Sequence, residues 1–166
     1  MERVVIFGRG AAGKSTLARQ LGELTGLPVT ELDKLFWHAD LAPTQRVEWI
    51  ALQEQLAQKG SWILDGDLGP HDVVEVRLRA ADTVILLDFG LVRCIWRAVR
   101  RGRERADFWL WVLAYRRESV PHLRAMITEH APEATVHVLR SPSGVTQFLR
   151  TVALRFGSTG DRPRPP

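Results

Sequence analysis

Gly8-Arg9-Gly10-Ala11-Ala12-Gly13-Lys14-Ser15 fits the spacing G-x-x-x-x-G-K-[ST], whose chemistry is the binding of a chain of phosphates. The glycines at 8, 10 and 13 and the small Ala11 and Ala12 let backbone N–H groups curl around an anion. The following helix N-terminus adds its positive dipole end. Lys14 would reach the terminal phosphates, and the Ser15 hydroxyl would ligate Mg²⁺. Thr16, in the first turn, would add a phosphate contact. An ordinary glycine-rich turn capped by serine would use the same loop, but it explains neither Lys14 nor the full spacing.

Two further groups of residues could do chemistry. Glu31, Asp33, Asp65 and Asp67 end or follow short apolar runs, and ligands collect at the carboxyl ends of parallel strands. Each is also compatible with capping or turn chemistry, because Asp-Gly-Asp before Gly69-Pro70 is an ordinary loop composition. Arg93, Arg97 and Arg100 or Arg101 recur at helical spacing and line one face, leaving Leu91, Ile95, Ala98 and Val99 for the core. The five histidines show no metal-ligand spacing. The one cysteine, Cys94, reads as a buried structural thiol and excludes an internal disulfide framework.

These residues need strands to bring them together, and the pattern supplies them. Val4–Phe7 is a continuous apolar β-rich run, as expected of a strand buried on both faces. Lys14–Thr25 reads as a helix stopped by Gly26. Pro28–Leu32, Ser61–Leu64, Thr83–Leu87 and Thr135–Leu139 read as further strands. Thr44–Lys59, Leu91–Arg101, Phe108–His130 with a break near Pro121, and Ser143–Leu154 read as helices. Within Thr44–Lys59, Val47, Ile50, Ala51, Leu52 and Leu56 form the expected apolar cluster. This alternation predicts an α/β domain in three layers, with a five-stranded parallel sheet flanked by helices.

The chain has 166 residues, 45% hydrophobic and 25% charged, which excludes a disordered or fibrous protein and suits one globular domain. Its longest apolar run, Phe108–Tyr115, is far shorter than the roughly 20 residues of a membrane-spanning helix. The start Met1-Glu2-Arg3-Val4 lacks a signal-peptide layout, so a cytoplasmic protein without a membrane partner is expected, as a monomer or homodimer. The net charge of +4 is local. Residues 93–124 hold nine arginines against Glu104, Asp107 and Glu118, a patch that suits either a nucleic acid or a small polyanion. The tail from Gly157 to Pro166 has little to bury and is expected to be disordered.

No guanine-reading Asn-Lys-x-Asp segment is present, which leaves a small kinase as the expected class. The chain resembles the adenylate-kinase-like branch of phosphate-loop kinases, and most closely the FlaR-like family described as DNA topology modulation proteins. The resemblance rests on the loop, Leu32-Asp33-x-x-x-Trp37, Trp62-Ile63-Leu64-Asp65-Gly66, Asp82–Asp88 and the run Trp96-Arg97 to Arg101. It implies a kinase domain over residues 1–156, with a short arginine-rich lid at about 102–118, and an ATP- and Mg²⁺-dependent phosphotransferase. The acceptor would be a small-molecule hydroxyl or phosphate: a nucleoside, a nucleotide or a ring-bearing metabolite. By resemblance, Asp33 would orient the acceptor hydroxyl and take its proton, and Asp65 would hold the Mg²⁺ shell. Arg97 would stack on adenine, and Arg101 would reach the phosphates. Asp67 departs from the family pattern, which has Asn there. Leu35, Phe36, Trp37 and the Thr44–Lys59 helix would cover the acceptor, while Trp109 and Tyr115 with Arg116 could stack bases. The rival is a nucleic-acid-associated ATPase or binding protein using the 93–124 arginines.

Overall fold

The computed structural model describes residues 1–38, 40, 42–69, 72–102, 109 and 112–157, and of Arg101 the backbone alone. Five strands, β1 (Arg3–Gly8), β2 (Val29–Glu31), β3 (Trp62–Asp65), β4 (Thr83–Leu87) and β5 (Thr135–Leu139), form one parallel sheet in the order β2-β3-β1-β4-β5. Val4 to Phe7 of the central strand are fully buried, because helices cover both faces of the sheet. The helices are α1 (Lys14–Thr25), α2 (Leu32–Phe36), α3 (Arg46–Ala57), α4 (Val74–Ala80), α5 (Leu91–Arg101), α6 (Ser119–His130) and α7 (Pro142–Gly157).

The two-residue period of a strand divides the core in two. Val5, Phe7, Leu64, Val84 and Leu86 pack with Trp49 of α3, Leu78 of α4, and Leu123 and Ile127 of α6. Val4, Ile6, Ile63, Ile85 and Leu87 pack with Leu17 and Leu21 of α1, Cys94 of α5, and Phe148 and Val152 of α7. Strand order turns outward in both directions from β1, so its carboxyl end is a topological switch point. The Gly8–Ser15 loop leaves the sheet there.

All five predicted strands are present, and the helices differ in instructive ways. Val74–Ala80 was not expected as a helix, because Val-Glu-Val-Arg-Leu-Arg alternates like a strand. It folds as α4 because Val74, Arg77 and Leu78, at spacings of three and four, are its buried residues. In α3 the buried residues are Trp49, Gln53 and Leu56, whereas Val47 is 81% exposed. The expected cluster around Val47 therefore misplaces the helix by part of a turn. The break expected near Pro121 comes earlier, in the turn at 115–118. Pro121 sits in the first turn of α6, where its missing N–H is not needed. In α5, Cys94 and Ala98 are buried while Val99 is 61% exposed, which removes Val99 from the core. Ser141 rather than Ser143 caps α7, its Oγ accepting from the Gly144 N–H at 3.1 Å. Residues 103–108, 110 and 111 of the expected lid, and the tail from residue 158, lie outside the described residues.

Candidate functional site at the carboxyl edge of the sheet

The loop that follows β1 is shaped by two left-handed residues, Ala11 (φ 59°) and Gly13 (φ 101°). Gly13 precedes the first turn of α1, so the Lys14 and Ser15 backbone stands at a helix N-terminus. A side chain at Gly13 would meet Arg97, whose Nη1 would lie 2.9 Å from an added Cβ. Lys14 folds back over the loop and donates from Nζ to the Gly8 carbonyl at 2.9 Å. That places an ammonium group where the loop's N–H groups converge. Thr16 is exposed on the same edge.

Across from the loop stand three carboxylates brought from two places in the sequence. Asp33 follows β2, as expected, and lies in the first turn of α2 with part of its surface open to solvent. Asp65 closes β3 and is 3% exposed. The nearby Ser15 hydroxyl favours its charged form, and its Oδ1 is buried without a hydrogen-bond partner. Gly66 holds the two segments together: a Cβ there would lie 2.8 Å from Leu32 Cβ and 3.4 Å from Asp33 Oδ1. Only a glycine lets the backbone approach α2 this closely.

Desolvation by the surrounding protein raises the Asp33 carboxyl above its ordinary range, with the charges of Asp67 and Asp72 adding to it and Lys14 opposing. Burial raises Asp65 in the same way, against Lys14 and the Ser15 hydroxyl. Asp67, 7% exposed, is also raised by burial. Lys14 is the strongest cation acting on all three. Asp65 and Ser15 supply hard oxygen ligands of the kind Mg²⁺ takes, and the unpartnered Oδ1 leaves one free for a hydrated cation. Among the described residues no group of three or more His, Cys, Asp or Glu could hold a metal by itself.

Behind this edge lies a buried network that the sequence did not announce. Arg77 of α4 grips Asp72 with two parallel bonds, Nη1 to Oδ1 and Nη2 to Oδ2, both 2.7 Å. Nη1 also donates to Gln53 Oε1 at 2.8 Å, and Nη2 donates to the Gly66 carbonyl at 3.1 Å. The guanidinium lies over the Phe7 ring, 4.8 Å from its centroid. Arg77 and Asp72 are 0% and 1% exposed, and the arginine's charge holds Asp72 below the ordinary carboxylate range despite its burial. The pair thus fixes the Asp65-Gly66-Asp67 turn from inside. The only sequence signal was the middle charge of a Val-Glu-Val-Arg-Leu-Arg alternation, Arg77, five residues after an aspartate.

Asp67 is held separately. Its Oδ2 accepts from the Tyr115 hydroxyl at 2.5 Å and its Oδ1 from the Gly69 N–H at 3.2 Å. Tyr115 is 2% exposed, which rules out the base-stacking role considered for it. Its hydroxyl is pushed far above its ordinary range, by burial first and then by the Asp67 charge. Arg9, the second residue of the loop, is buried with its guanidinium 5.7 Å from the centroid of the Tyr115 ring, and its Nε and Nη1 are buried without a hydrogen-bond partner. Phe36 also belongs to the core, edge-on to Trp49 at 5.1 Å. Leu35 and Trp37 are exposed, and Glu31 pairs with Lys34 at 2.9 Å.

On the other side of the loop, Arg97 donates from Nη1 to the Ala12 carbonyl at 3.3 Å. It borders a cavity of about 190 Å³ between the loop, α5 and the start of α7, where Gly13, Thr16, Phe89, Pro142 and Thr146 also contribute. Arg93 reaches this cavity. Arg100 instead stacks on Trp96 at 4.6 Å, and Arg116 pairs with Asp88 at 3.5 Å. The side chain of Arg101, and Arg103 and Arg105 entirely, lie outside the described residues. No helix among the described residues is long and apolar enough to cross a membrane.

Fold and loop together define the class, an α/β protein with the P-loop kinase fold, and known structures bear this out. The chain is similar to a shikimate kinase from Acinetobacter baumannii solved with shikimate, with a TM-score of 0.67 and 14% identity over 98% of this chain and 96% of that one. It is similar to a sugar kinase from Janibacter sp., with a TM-score of 0.58 and 17% identity over 96% of each chain. A deoxyadenosine kinase from M. mycoides matches with a TM-score of 0.53 and 13% identity over 93% of this chain and 98% of that one. No family model matches the sequence, and no curated protein matches it.

Proposed function

We propose that this chain is an ATP- and Mg²⁺-dependent phosphotransferase that moves the γ-phosphoryl group to a small-molecule acceptor. The observation that carries the reading is convergence. β1, which ends in the Gly8–Ser15 loop, pairs Ile6 with Asp65 of β3, and Gly66 sets the Asp65–Asp67 turn against Asp33, whose Oδ1 would lie 3.4 Å from a Cβ there. The donor loop and the acidic edge, drawn from separate segments, are thus neighbours at the carboxyl end of the sheet. Residues 1–156 form the kinase domain in this reading, with residues 102–118 as its lid, in a cytoplasmic protein close to the FlaR-like family.

The roles follow from chemistry. The loop N–H groups at Gly8, Gly10, Ala11, Ala12 and Gly13 bind phosphate oxygens, and Lys14 follows the transferring group. Phosphoryl transfer asks mainly for positioning and charge stabilisation. Ser15 and Asp65 would hold Mg²⁺, which when bound neutralises phosphate charge. Asp33 orients the acceptor hydroxyl and takes its proton while that oxygen attacks the γ-phosphorus and the bond to the ADP oxygen breaks. Its raised pKa makes it a better base than an ordinary aspartate, provided the pH keeps it ionised. Arg97 covers the base side of the nucleotide at the cavity it borders, and Arg101 serves the phosphates.

The test is a mass-spectrometric screen of ATP and Mg²⁺ against pooled metabolites and nucleosides. The expected result is an acceptor that gains one phosphoryl group in step with ADP. ATP binding without any phosphorylated product from a pool that spans sugars, polyols, nucleosides, nucleotides and acids would overturn the proposal.

A further inference from the structure

One cation of the loop is buried without an anion to bond. Arg9 is 3% exposed, and its Nε and Nη1 are enclosed with no hydrogen-bond partner. Its guanidinium lies 5.7 Å from the centroid of the Tyr115 ring, and a ring face is only a weak counterweight to a charge. A guanidinium held in a protein interior without a hydrogen-bonded anion is costly. Arg77 shows how this chain meets that cost elsewhere, because it is equally buried and grips Asp72 with both terminal nitrogens. Nor does the loop need the Arg9 side chain to close its turn. The Arg9 carbonyl does that, accepting from the Ala12 N–H at 3.1 Å.

The position of Arg9 says which anion would match it, granted the reading of the loop as a nucleotide site. The cavity beside α5 is lined by Gly13, Thr16 and Arg97, at the far end of the loop from Arg9. A nucleotide with its base in that cavity runs its phosphates along the loop toward Arg9, with the last phosphate nearest to it. Beyond Arg9 stands Tyr115, whose hydroxyl bonds Asp67 of the acceptor edge. Arg9 therefore lies between the two halves of the site. Lys14 and Arg97 are close by. Burial raises the Cys94 thiol, and the charges of Arg9, Arg97 and Lys14 all oppose that rise.

We infer that Arg9 is a receptor for the γ-phosphate of the nucleotide, a second cation beside Lys14 that tells a triphosphate from a diphosphate. Its N–H groups donate to γ-phosphate oxygens in the forked geometry that suits phosphate. The long side chain, free of hydrogen bonds at Nε and Nη1, turns to the phosphate without moving the loop. A charge left unmatched in the free protein is then matched only while the γ-phosphate is in place.

The test titrates the full chain calorimetrically with MgADP and with a non-hydrolysable MgATP analogue, in the wild type and in Arg9→Met, an uncharged side chain of similar reach. The wild type is expected to bind the triphosphate at least about tenfold more tightly than the diphosphate. In Arg9→Met that ratio should fall at least about fivefold, with MgADP affinity changed less than about twofold. The unliganded variant should melt at or above the wild-type temperature, because an unmatched buried charge has gone. Arg9→Lys, which keeps the charge without the fork, should give a ratio between the two. A ratio unchanged in both variants overturns the inference, and so does an equal loss of affinity for both nucleotides. A melting temperature lowered by more than about 5 °C in unliganded Arg9→Met also overturns it, because the guanidinium would then be a structural support. These outcomes leave the phosphotransferase reading standing, whereas a wild type that binds neither nucleotide overturns both.

Discussion

The donor and acceptor edges of this site are built by opposite means. The donor edge is one unbroken stretch, Gly8 to Thr16, shaped by its own backbone and by the start of α1. The acceptor edge is assembled from α2, the turn after β3, α3, α4 and the segment at Tyr115, and it is held by Arg77, Asp72 and Gln53 beneath the surface. A contiguous device can be carried between proteins whole. An assembled one can be retuned by changing any of its supports, so acceptor identity has more freedom than nucleotide binding.

The largest effect that would break this contrast is expected at Lys14. Lys14→Ala should reduce phosphotransfer by about 10⁴ or more and weaken ATP, while the thermal midpoint stays close to wild type, because Lys14 packs on a loop rather than into either core cluster. Steady-state rates and calorimetric ATP titration check this, and unchanged affinity and turnover would remove the loop from the mechanism. Asp33→Asn should then lower turnover by roughly 10²–10⁴ with nucleotide affinity largely kept, since it loses only the ability to accept a proton. In the wild type, kcat should rise as pH climbs through a value above 3.8, the Asp33 carboxyl being raised, and this rise should vanish in the variant.

Supports of the acceptor edge should act on stability instead. Asp72→Asn leaves Arg77 buried with its charge unmatched, which typically costs about 3–5 kcal/mol. Denaturant titration should show that loss at neutral pH. The folded-state pKa of Asp72 lies below its ordinary 3.8, so its contribution is complete above that value and is lost as pH falls through the folded pKa. Acid titration of wild type and Asp72→Asn should therefore converge at low pH. The smallest effect is expected on α5. Arg97→Ala, losing its place beside Ala12 and the cavity, should raise the KM for ATP about tenfold. Arg100→Ala, which frees a side chain stacked on Trp96, should change it less than about twofold. Equal changes at both positions, paralleled by equal losses of DNA affinity, would favour a basic surface that tracks a nucleic-acid backbone.

The same division governs what the sequence discloses. Strands were legible because Val4–Phe7 and Thr83–Leu87 are unbroken β-rich runs buried on both faces. The Gly8–Ser15 turn between β1 and α1 was legible because its residues are neighbours with fixed spacing. Asp33 and Asp65 could be placed near the site from their positions after apolar runs, although α2 in place of an extended segment was not foreseen. The Arg77 network was hidden because its members are 24 residues apart at the widest and α4 carries strand-like alternation. Tyr115 was misread for a related reason. Its partner Asp67 is 48 residues away, and nothing local distinguishes a buried tyrosine bonded to a carboxylate from one that stacks on bases.

The most direct test of the central claim, that donor loop and acceptor edge act on one transferring group, is the fate of label from ATP marked at the γ-phosphorus. The wild type is incubated with a pool spanning sugars, polyols, nucleosides, nucleotides and acids, alongside Asp33→Asn, with nucleotide affinity measured for both. The account predicts label in an organic product for the wild type and its loss in Asp33→Asn at similar nucleotide affinity. Label released only as inorganic phosphate, at the same rate with and without the pool and in both proteins, would contradict it.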